Sequence, residues 1–95
     1  QYVQHTFRNA FREGLISSEE IHKLQNPKYS NEKFNSRFEV LRLKSRNIKD
    51  SHGRTRYYSK EYFCGSFYLT SQWVESQWDL YLKWLKSIGF NDENY

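Results

Sequence analysis

The chain has 95 residues, with 15 Lys and Arg against 11 Asp and Glu, which gives a formal net charge of +4 at pH 7. This length accommodates one small domain and excludes a multidomain enzyme. Aromatic residues make up 19% of the chain. Each buried ring removes about 150–250 Å² from water, so we expect aromatic packing to hold the core.

An amphipathic pattern opens the chain. Apolar side chains recur at i, i+4, i+7 and i+8 from Val3, which is the spacing of one face of a helix. Gly14 follows at the position where a left-handed C-cap usually lies. The pattern predicts a helix over 2–13.

A capping box predicts the second helix. Ser17 is a suitable N-cap, Glu20 occupies the third helical position, and Ile16 and Ile21 can form the hydrophobic contact that often accompanies this motif. The helix is predicted over 18–25. It should end before Pro27, because proline disfavours helical geometry in the residue that precedes it.

Shorter elements follow. Ser30 can cap a third helix over 31–36, with Phe34 pointing into the core. Residues 37–44 fit both a helical and an alternating pattern, and we favour a short extended segment. Residues 47–53 are polar and predict an exposed loop.

Two runs rich in aromatic and β-branched residues predict a hairpin. They cover residues 57–63 and 66–70, and Cys64-Gly65 separates them. The order of the pattern predicts an antiparallel pair with its turn at these two residues.

The last element is an amphipathic helix over 72–88, with Ser71 as N-cap and Gly89 at its end. Its apolar side chains lie on one side of a helical wheel, and Trp78, Leu82 and Leu85 are expected to be buried. The complete apolar face comprises Val74, Trp78, Tyr81, Leu82, Leu85 and Ile88. The predicted domain covers residues 1–90, and residues 91–95 are expected to form a flexible acidic tail.

Charge is unevenly distributed along the chain. Residues 33–60 contain nine basic side chains and two acidic ones, Glu39 and Asp50, for a local net charge of +7, whereas the other 67 residues sum to −3. A one-sided positive field attracts a polyanion, and phosphate contacts release counterions. Two alternatives stay open, namely a solvated face and a site for an acidic protein.

The order of the elements sharpens the nucleic-acid interpretation. Two short helices, an extended segment and a hairpin follow one another as in a winged helix, where the second helix enters the major groove. That helix would expose Asn31, Lys33 and Asn35. The residues predicted to contact nucleic acid are Lys28, Asn31, Lys33, Arg37, Arg54, Arg56 and Lys60.

The aromatic residues have two possible roles. Rings between Tyr57 and Tyr68 could stack on unpaired bases, but alternation places about half of them against the last helix. We therefore favour core packing. The same interpretation applies to the three tryptophans, with an aromatic patch for a protein partner as the alternative.

No motif for catalysis or metal binding stands out in the sequence. His5, His22 and His52 lie far apart, and a single cysteine, Cys64, provides no CxxC pair. We predict no catalytic residue, no metal or other cofactor, and no small-molecule substrate.

Several short motifs carry a resemblance to a known kind of domain. They are Glu19-Glu20-Ile21, Gln25-Asn26-Pro27-Lys28-Tyr29-Ser30 with Phe34, Arg56-Tyr57-Tyr58, Ser71-Gln72-Trp73 and Lys83-Trp84-Leu85. From about Leu15 to Ile88, the chain resembles a small, poorly characterised C-terminal domain of bacterial proteins, some of them of restriction or defence type. The resemblance implies an accessory module in a nucleic-acid setting, without a catalytic core.

Taken together, the residues predict a winged-helix-like α+β domain with three N-terminal helices, a hairpin and a long C-terminal helix. Its expected function is non-catalytic DNA binding; the alternative is docking or dimerisation through the aromatic surface of the last helix and hairpin. The chain has no run of 18 apolar residues and no signal peptide, so we expect no membrane partner. One unpaired cysteine fits the cytoplasm. The start at Gln1, without methionine and inside a helical pattern, suggests a piece of a longer protein, which the resemblance implies is bacterial.

Overall fold

The computed structural model describes residues 2–91, and within that range it contains four α-helices and one two-stranded antiparallel sheet. The elements are α1 (Tyr2–Arg12), α2 (Ser18–Lys23), α3 (Pro27–Phe34), β1 (Leu41–Leu43), β2 (Phe67–Leu69) and α4 (Trp78–Ser87). A turn of 3-10 helix over Glu75–Gln77 leads directly into α4. The α+β class predicted from the sequence is confirmed.

The first two helices form where the sequence predicts them. At the end of α1, Gly14 adopts a φ of +74°, the left-handed conformation expected of a C-cap. At the start of α2, the Ser17 Oγ accepts a hydrogen bond of 3.1 Å from the backbone N–H of Glu20. The predicted cap of α2 is therefore confirmed.

The predicted start of α3 is wrong by several residues. Asn26, not Ser30, is the N-cap, and its Oδ1 accepts a hydrogen bond of 2.8 Å from the backbone N–H of Lys28. Pro27 occupies the first helical turn, where its missing N–H costs nothing and its fixed φ favours the helix. Ser30 is buried inside α3, and its Oγ accepts a hydrogen bond of 3.0 Å from the Val40 N–H.

The strand partner also differs from the prediction. β2 forms its ladder with β1, in the register Leu41↔Leu69 and Leu43↔Phe67. The expected approach of 57–63 to 66–70 is antiparallel, but it is limited to two isolated bridges, Tyr57↔Thr70 and Phe63↔Phe67. Residues 37–44 are extended as a strand only at 41–43.

The turn between the two predicted runs lies where it was expected. Cys64 and Gly65 have φ values of +51° and +90°, and Phe63 and Phe67 exchange both backbone hydrogen bonds across the turn. Between the two bridges, the Glu61 carboxylate forms a two-point ion pair with the Arg8 guanidinium of α1. That contact ties this segment to α1.

The buried face of α4 is rotated relative to the prediction. Trp78 and Leu82 are 37% and 38% exposed, so the expectation that they are buried is wrong, whereas Leu85 is buried as predicted. Trp84 turns inward instead, and Tyr81, which belongs to the predicted apolar face, is buried as expected. The helix starts at Trp78 and not after a cap at Ser71, because Gln77 closes the preceding turn by accepting the Val74 N–H at 2.9 Å.

The core is mainly aromatic, as the composition predicts. The Trp84 ring lies parallel to Phe7, with their centroids 5.6 Å apart, and meets Phe34 edge to face at 5.5 Å. The Tyr81 hydroxyl shares a hydrogen bond of 2.7 Å with the buried Thr6 hydroxyl. Trp84 and Tyr81 thus join α4 to α1 and α3.

Two further expectations concern the ends of the chain and membranes. Gly89, with a φ of +87°, follows the end of α4 as predicted. Apart from Asn91, the predicted tail at 91–95 lies outside the described residues. None of the helices in residues 2–91 combines the length and the apolar character that are needed to cross a bilayer.

Candidate nucleic-acid interface

The two acidic residues of the basic segment 33–60 each neutralise one arginine. Arg42 lies 2.8 Å from Glu39 and Arg56 lies 2.8 Å from Asp50, and all four side chains are at most 17% exposed. The other seven basic residues of the segment are all exposed. They are Lys33, Arg37, Lys44, Arg46, Lys49, Arg54 and Lys60.

Arg56 is held in place from three sides. Its Nε donates to Asp50 Oδ2 and its Nη1 donates to Gln72 Oε1, both at 2.8 Å. Its Cζ lies 5.4 Å from the centroid of the Phe38 ring. The guanidinium plane is therefore fixed before any ligand arrives.

Asp50 also organises the loop that carries much of the exposed charge. Its Oδ1 accepts the backbone N–H groups of Arg54 and His52, at 3.0 and 2.8 Å. The hydrogen bond from Arg54 is the main cause that lowers the Asp50 pKa to about 2, assisted by the Arg56 guanidinium and opposed by partial desolvation. This carboxylate therefore stays ionised at neutral pH.

The loop over residues 48–56 is a short two-stranded arm, which we call the basic arm. The Arg56 N–H donates to the Ile48 carbonyl at 3.0 Å, and the Asp50 N–H donates to the Arg54 carbonyl at 2.9 Å. Gly53 turns the chain with a φ of +80°. The arm exposes Lys49 and Arg54 to solvent.

One face of α3 is polar and continues toward Arg56. Lys28 and Asn31 lie at i and i+3 on α3, Asn35 follows as the C-cap of the helix, and all three are exposed. We call them the polar stripe. Ser30 and Phe34 are buried on the opposite face. The stripe is therefore the side of α3 that a ligand can reach.

A hollow of about 360 Å³ lies where the polar stripe meets the segment before α4. It brings together three residues that the sequence predicted separately: Asn31, Arg37 and Arg56. Arg37 is exposed, and its Cζ lies 6.0 Å from the Phe38 ring centroid. The complete lining comprises Asn31, Asn35, Arg37, Phe38, Arg56, Gln72, Val74, Ser76 and Gln77.

The other predicted contact residues lie outside the hollow. Lys28 belongs to the polar stripe and Arg54 to the basic arm, so both flank it. Lys33 lines a separate groove against α4 together with Lys83, and Lys60 lies in another depression beside Tyr58. Lys33 and Lys60 therefore do not join the same cluster.

Sequence reasoning singled out no ligand contact at five residues of the hollow, namely Phe38, Gln72, Val74, Ser76 and Gln77. Phe38 was treated as part of an ambiguous extended segment, and no spacing singled out either glutamine. Gln72 stands in one of the short motifs that carry the resemblance, which was the only signal for it. Their roles depend on a contact between distant parts of the chain, which local patterns do not encode.

The aromatic runs supply little stacking surface. Tyr57 and Phe63 are buried, and Tyr62 is 52% exposed. The Tyr62 ring packs against Tyr68, with centroids 5.3 Å apart, and Lys44 Nζ lies 5.5 Å from its centroid. The core interpretation thus holds for two of these rings, and one exposed tyrosine remains beside a cation.

The titratable groups outside the hollow offer no reactive constellation in the described residues. Burial raises the pKa of the Cys64 thiol to about 12, which keeps it protonated at neutral pH. Residues 2–91 contain no group of three His, Cys, Asp or Glu side chains placed to hold a metal ion. The polar hollow is therefore the main candidate for a ligand site.

Comparisons with protein-family models, with curated proteins and with solved structures give no match to this chain. The resemblance to an accessory domain of bacterial restriction and defence proteins stays a prediction. Function is consequently inferred from the placement of side chains alone.

Proposed function

We propose that this domain binds DNA without catalysing a reaction, through the polar stripe, the rim of the hollow and the basic arm. The observation that carries the proposal is the convergence of Asn31, Arg37 and Arg56 on one hollow. No carboxylate is among the nine residues that line it. An anionic ligand therefore meets cations and amides at this site, which is the composition of a phosphate-contacting surface.

A winged-helix mode of binding agrees with this surface. The turn between α2 and α3 has three residues, 24–26, as in a helix-turn-helix. A helix with its side chains is about 10–12 Å across, so α3 can enter the major groove, which is about 12 Å wide. In this arrangement the polar stripe enters the groove, and the basic arm replaces the predicted 57–70 hairpin as the wing that contacts the backbone.

Sequence information in the DNA would be read mainly by amides. Asn31 donates through Nδ2 to the Ser36 carbonyl at 3.2 Å, which leaves its Oδ1 available as an acceptor. Asparagine side chains in the major groove recognise base edges, whereas Lys28, Arg37 and Arg54 would contact phosphates. The domain should therefore combine strong salt dependence with modest sequence preference.

A salt titration with matched variants tests the proposal. Binding of a short generic duplex is measured by fluorescence anisotropy between about 50 and 200 mM salt, where each phosphate contact contributes about 0.9 to the log–log slope. Changing Lys28, Arg37 and Arg54 together to glutamine should reduce the slope by up to about 2.7. The control changes Arg12, Lys83 and Lys86 to glutamine, which removes the same charge from other surfaces.

The two variants separate a local site from a general charge effect. Equal losses in both variants would show that only net charge attracts the duplex. No duplex binding at low salt would reject DNA binding altogether. A loss confined to the first variant supports the proposed surface.

A second candidate function is docking through an exposed apolar patch. Trp78 and Leu82 follow one another at i and i+4 on α4, and Tyr2 of α1, 37% exposed, packs against the Trp78 ring at 5.2 Å. Apolar side chains grouped in this way are typical of interfaces between proteins. We expect self-association in sedimentation velocity that disappears when Trp78 and Leu82 are both changed to serine; a monomer at all concentrations would argue against dimerisation.

A further inference from the structure

A protein that contacts only continuous duplex does not need a hollow of this size and shape. Its volume of about 360 Å³ falls in the range of about 300–1,000 Å³ that is typical of sites for small molecules. A recognition helix reads a groove with a convex surface, so paired bases would leave this concave space empty. A ligand that projects from the duplex would fill it.

The wall of the hollow is built in advance. Gln77 is 5% exposed, and its amide is fully used: Oε1 accepts the Val74 N–H, and Nε2 donates to the Asn35 carbonyl at 3.0 Å. Gln72 is similarly occupied, because its Oε1 accepts from Arg56 and its Nε2 donates to Ser71. Gln77 thus joins the end of α3 to the segment before α4, and Gln72 joins that segment to Arg56, which reduces the ordering that a ligand must supply.

Other groups in the hollow keep hydrogen-bonding capacity for a ligand. Within residues 2–91, the Asn35 side-chain amide has no partner, and Asn31 Oδ1 accepts no hydrogen bond. An amide offers a donor and an acceptor side by side, which matches the edge of an unpaired base. The Arg37 guanidinium is exposed at the rim and forms no ion pair in this part of the chain.

Flat side chains complete the lining. The Phe38 ring lies close to two guanidinium groups, with Arg37 Cζ at 6.0 Å and Arg56 Cζ at 5.4 Å from its centroid. Unpaired bases stack on aromatic rings and on arginine planes, and Arg56 is already oriented by Asp50. The two cations also suit the phosphate that accompanies a base.

From this combination we infer that the hollow accepts one unpaired nucleotide, so that the domain binds DNA with an extruded or overhanging nucleotide more tightly than continuous duplex. The inference rests on the proposed DNA binding and specifies the class of DNA. In this arrangement Asn35 and Asn31 contact the base edge, the Arg56 guanidinium plane contacts the base face, and Arg37 contacts the phosphate.

The test compares two duplexes that differ by one unpaired 2-aminopurine nucleotide. The unpaired probe should bind at least about fivefold more tightly than the paired probe, because stacking of a single base gives an effect of this order. Its fluorescence should also change on binding, since 2-aminopurine emission responds to stacking. The whole domain is used in both measurements.

Two variants locate the effect. Asn35→Gly removes the amide but keeps the backbone, since Asn35 has a φ of +55° that glycine adopts readily. It should reduce the preference to below about twofold, measured as the ratio of the variant's own affinities for the unpaired and the paired probe. Lys86→Gln, on the outer face of α4, should preserve both affinities and the preference. Far-UV circular dichroism confirms that each variant folds.

The possible outcomes distinguish a failure of the nucleotide site from a failure of DNA binding. Equal affinity for both probes overturns the nucleotide site and leaves DNA binding standing. A preference that survives Asn35→Gly with an unchanged fluorescence response overturns the placement of the base in this hollow. Failure of both probes to bind overturns the two proposals together.

Discussion

Two arginines of the basic segment have similar partners and similar exposed fractions, but different surroundings. Arg42 pairs with Glu39 at 2.8 Å and lies 4.4 Å from the Tyr57 ring centroid; Arg56 pairs with Asp50 at 2.8 Å and lies 5.4 Å from the Phe38 ring centroid. The two guanidinium groups are 13% and 17% exposed as side chains. Arg56 lines the hollow, whereas Arg42 does not.

The difference lies in what surrounds each carboxylate. Glu39 is buried, and the Tyr57 hydroxyl donates to its backbone carbonyl at 2.7 Å and to its Oε1 at 3.0 Å. Hydrogen bonds from Arg42 and Tyr57 lower the Glu39 pKa in spite of the desolvation that opposes them. Similar ion pairs and ring contacts thus occur in two settings. Arg42 and Glu39 share their cluster with the Tyr57 hydroxyl, whereas Arg56 lies in the wall of the hollow.

The largest effect should follow from breaking the cluster that Glu39, Arg42 and Tyr57 form. Glu39→Gln leaves the Arg42 charge buried without a counter-ion, and we expect it to lower the free energy of unfolding by about 3 kcal/mol. Urea denaturation monitored by tryptophan fluorescence measures the change. Arg42→Met in the Glu39→Gln background should recover part of the loss; a double variant as unstable as the single one would show that the unpaired charge is not the cause.

A smaller loss should result from removing one hydroxyl of the same cluster. Tyr57→Phe deletes both hydrogen bonds to Glu39 and should lower the free energy of unfolding by about 1–2 kcal/mol. Tyr62→Phe, at an exposed position, should change it by less than about 0.5 kcal/mol. Equal effects in the same denaturation assay would mean that the Tyr57 hydroxyl is not stabilising.

Acid should weaken both clusters, because both carboxyl groups have a lowered pKa in the folded state. Their stabilisation is complete above the ordinary carboxyl pKa of about 4 and is lost as pH falls through the lower folded values, toward about 2 for Asp50. The urea midpoint should therefore fall steadily below about pH 4. Asp50→Asn and Glu39→Gln should each flatten this dependence, and an unchanged slope in either variant would contradict its assigned role.

The smallest expected effect concerns ligand binding at the cluster that Arg56, Asp50 and Gln72 form. Arg56→Lys keeps the charge but cannot reproduce the planar contacts with Asp50, Gln72 and Phe38, so duplex affinity should fall about three- to tenfold, the equivalent of one hydrogen bond. Arg42→Lys should lower stability and leave the affinity of the folded domain unchanged. If both substitutions weaken binding equally in anisotropy titrations, the distinction between the two arginines fails.

Local signals predicted a substantial part of the fold and of the site. Hydrogen bonds that close within four residues, such as the Ser17 cap, depend on the neighbouring sequence alone. The candidate site was predicted in part: Asn31, Arg37 and Arg56 do meet, while Lys33 and Lys60 lie elsewhere. Whether that surface binds DNA stays a prediction.

What the sequence determined by itself was therefore local: the C-terminal ends of α1 and α4, the turn at Cys64-Gly65 and the concentration of positive charge in residues 33–60. Tertiary structure decided the inward face of α4, because the contacts of Trp84 with Phe7 and Phe34 and the hydrogen bond from its Nε1 to Glu20 place Trp84, and not Trp78, in the core. It also decided the strand partner of β2 and the different surroundings of the two arginines. These choices depend on contacts between residues that are distant in the chain. A short sequence pattern cannot predict the free energy of such contacts.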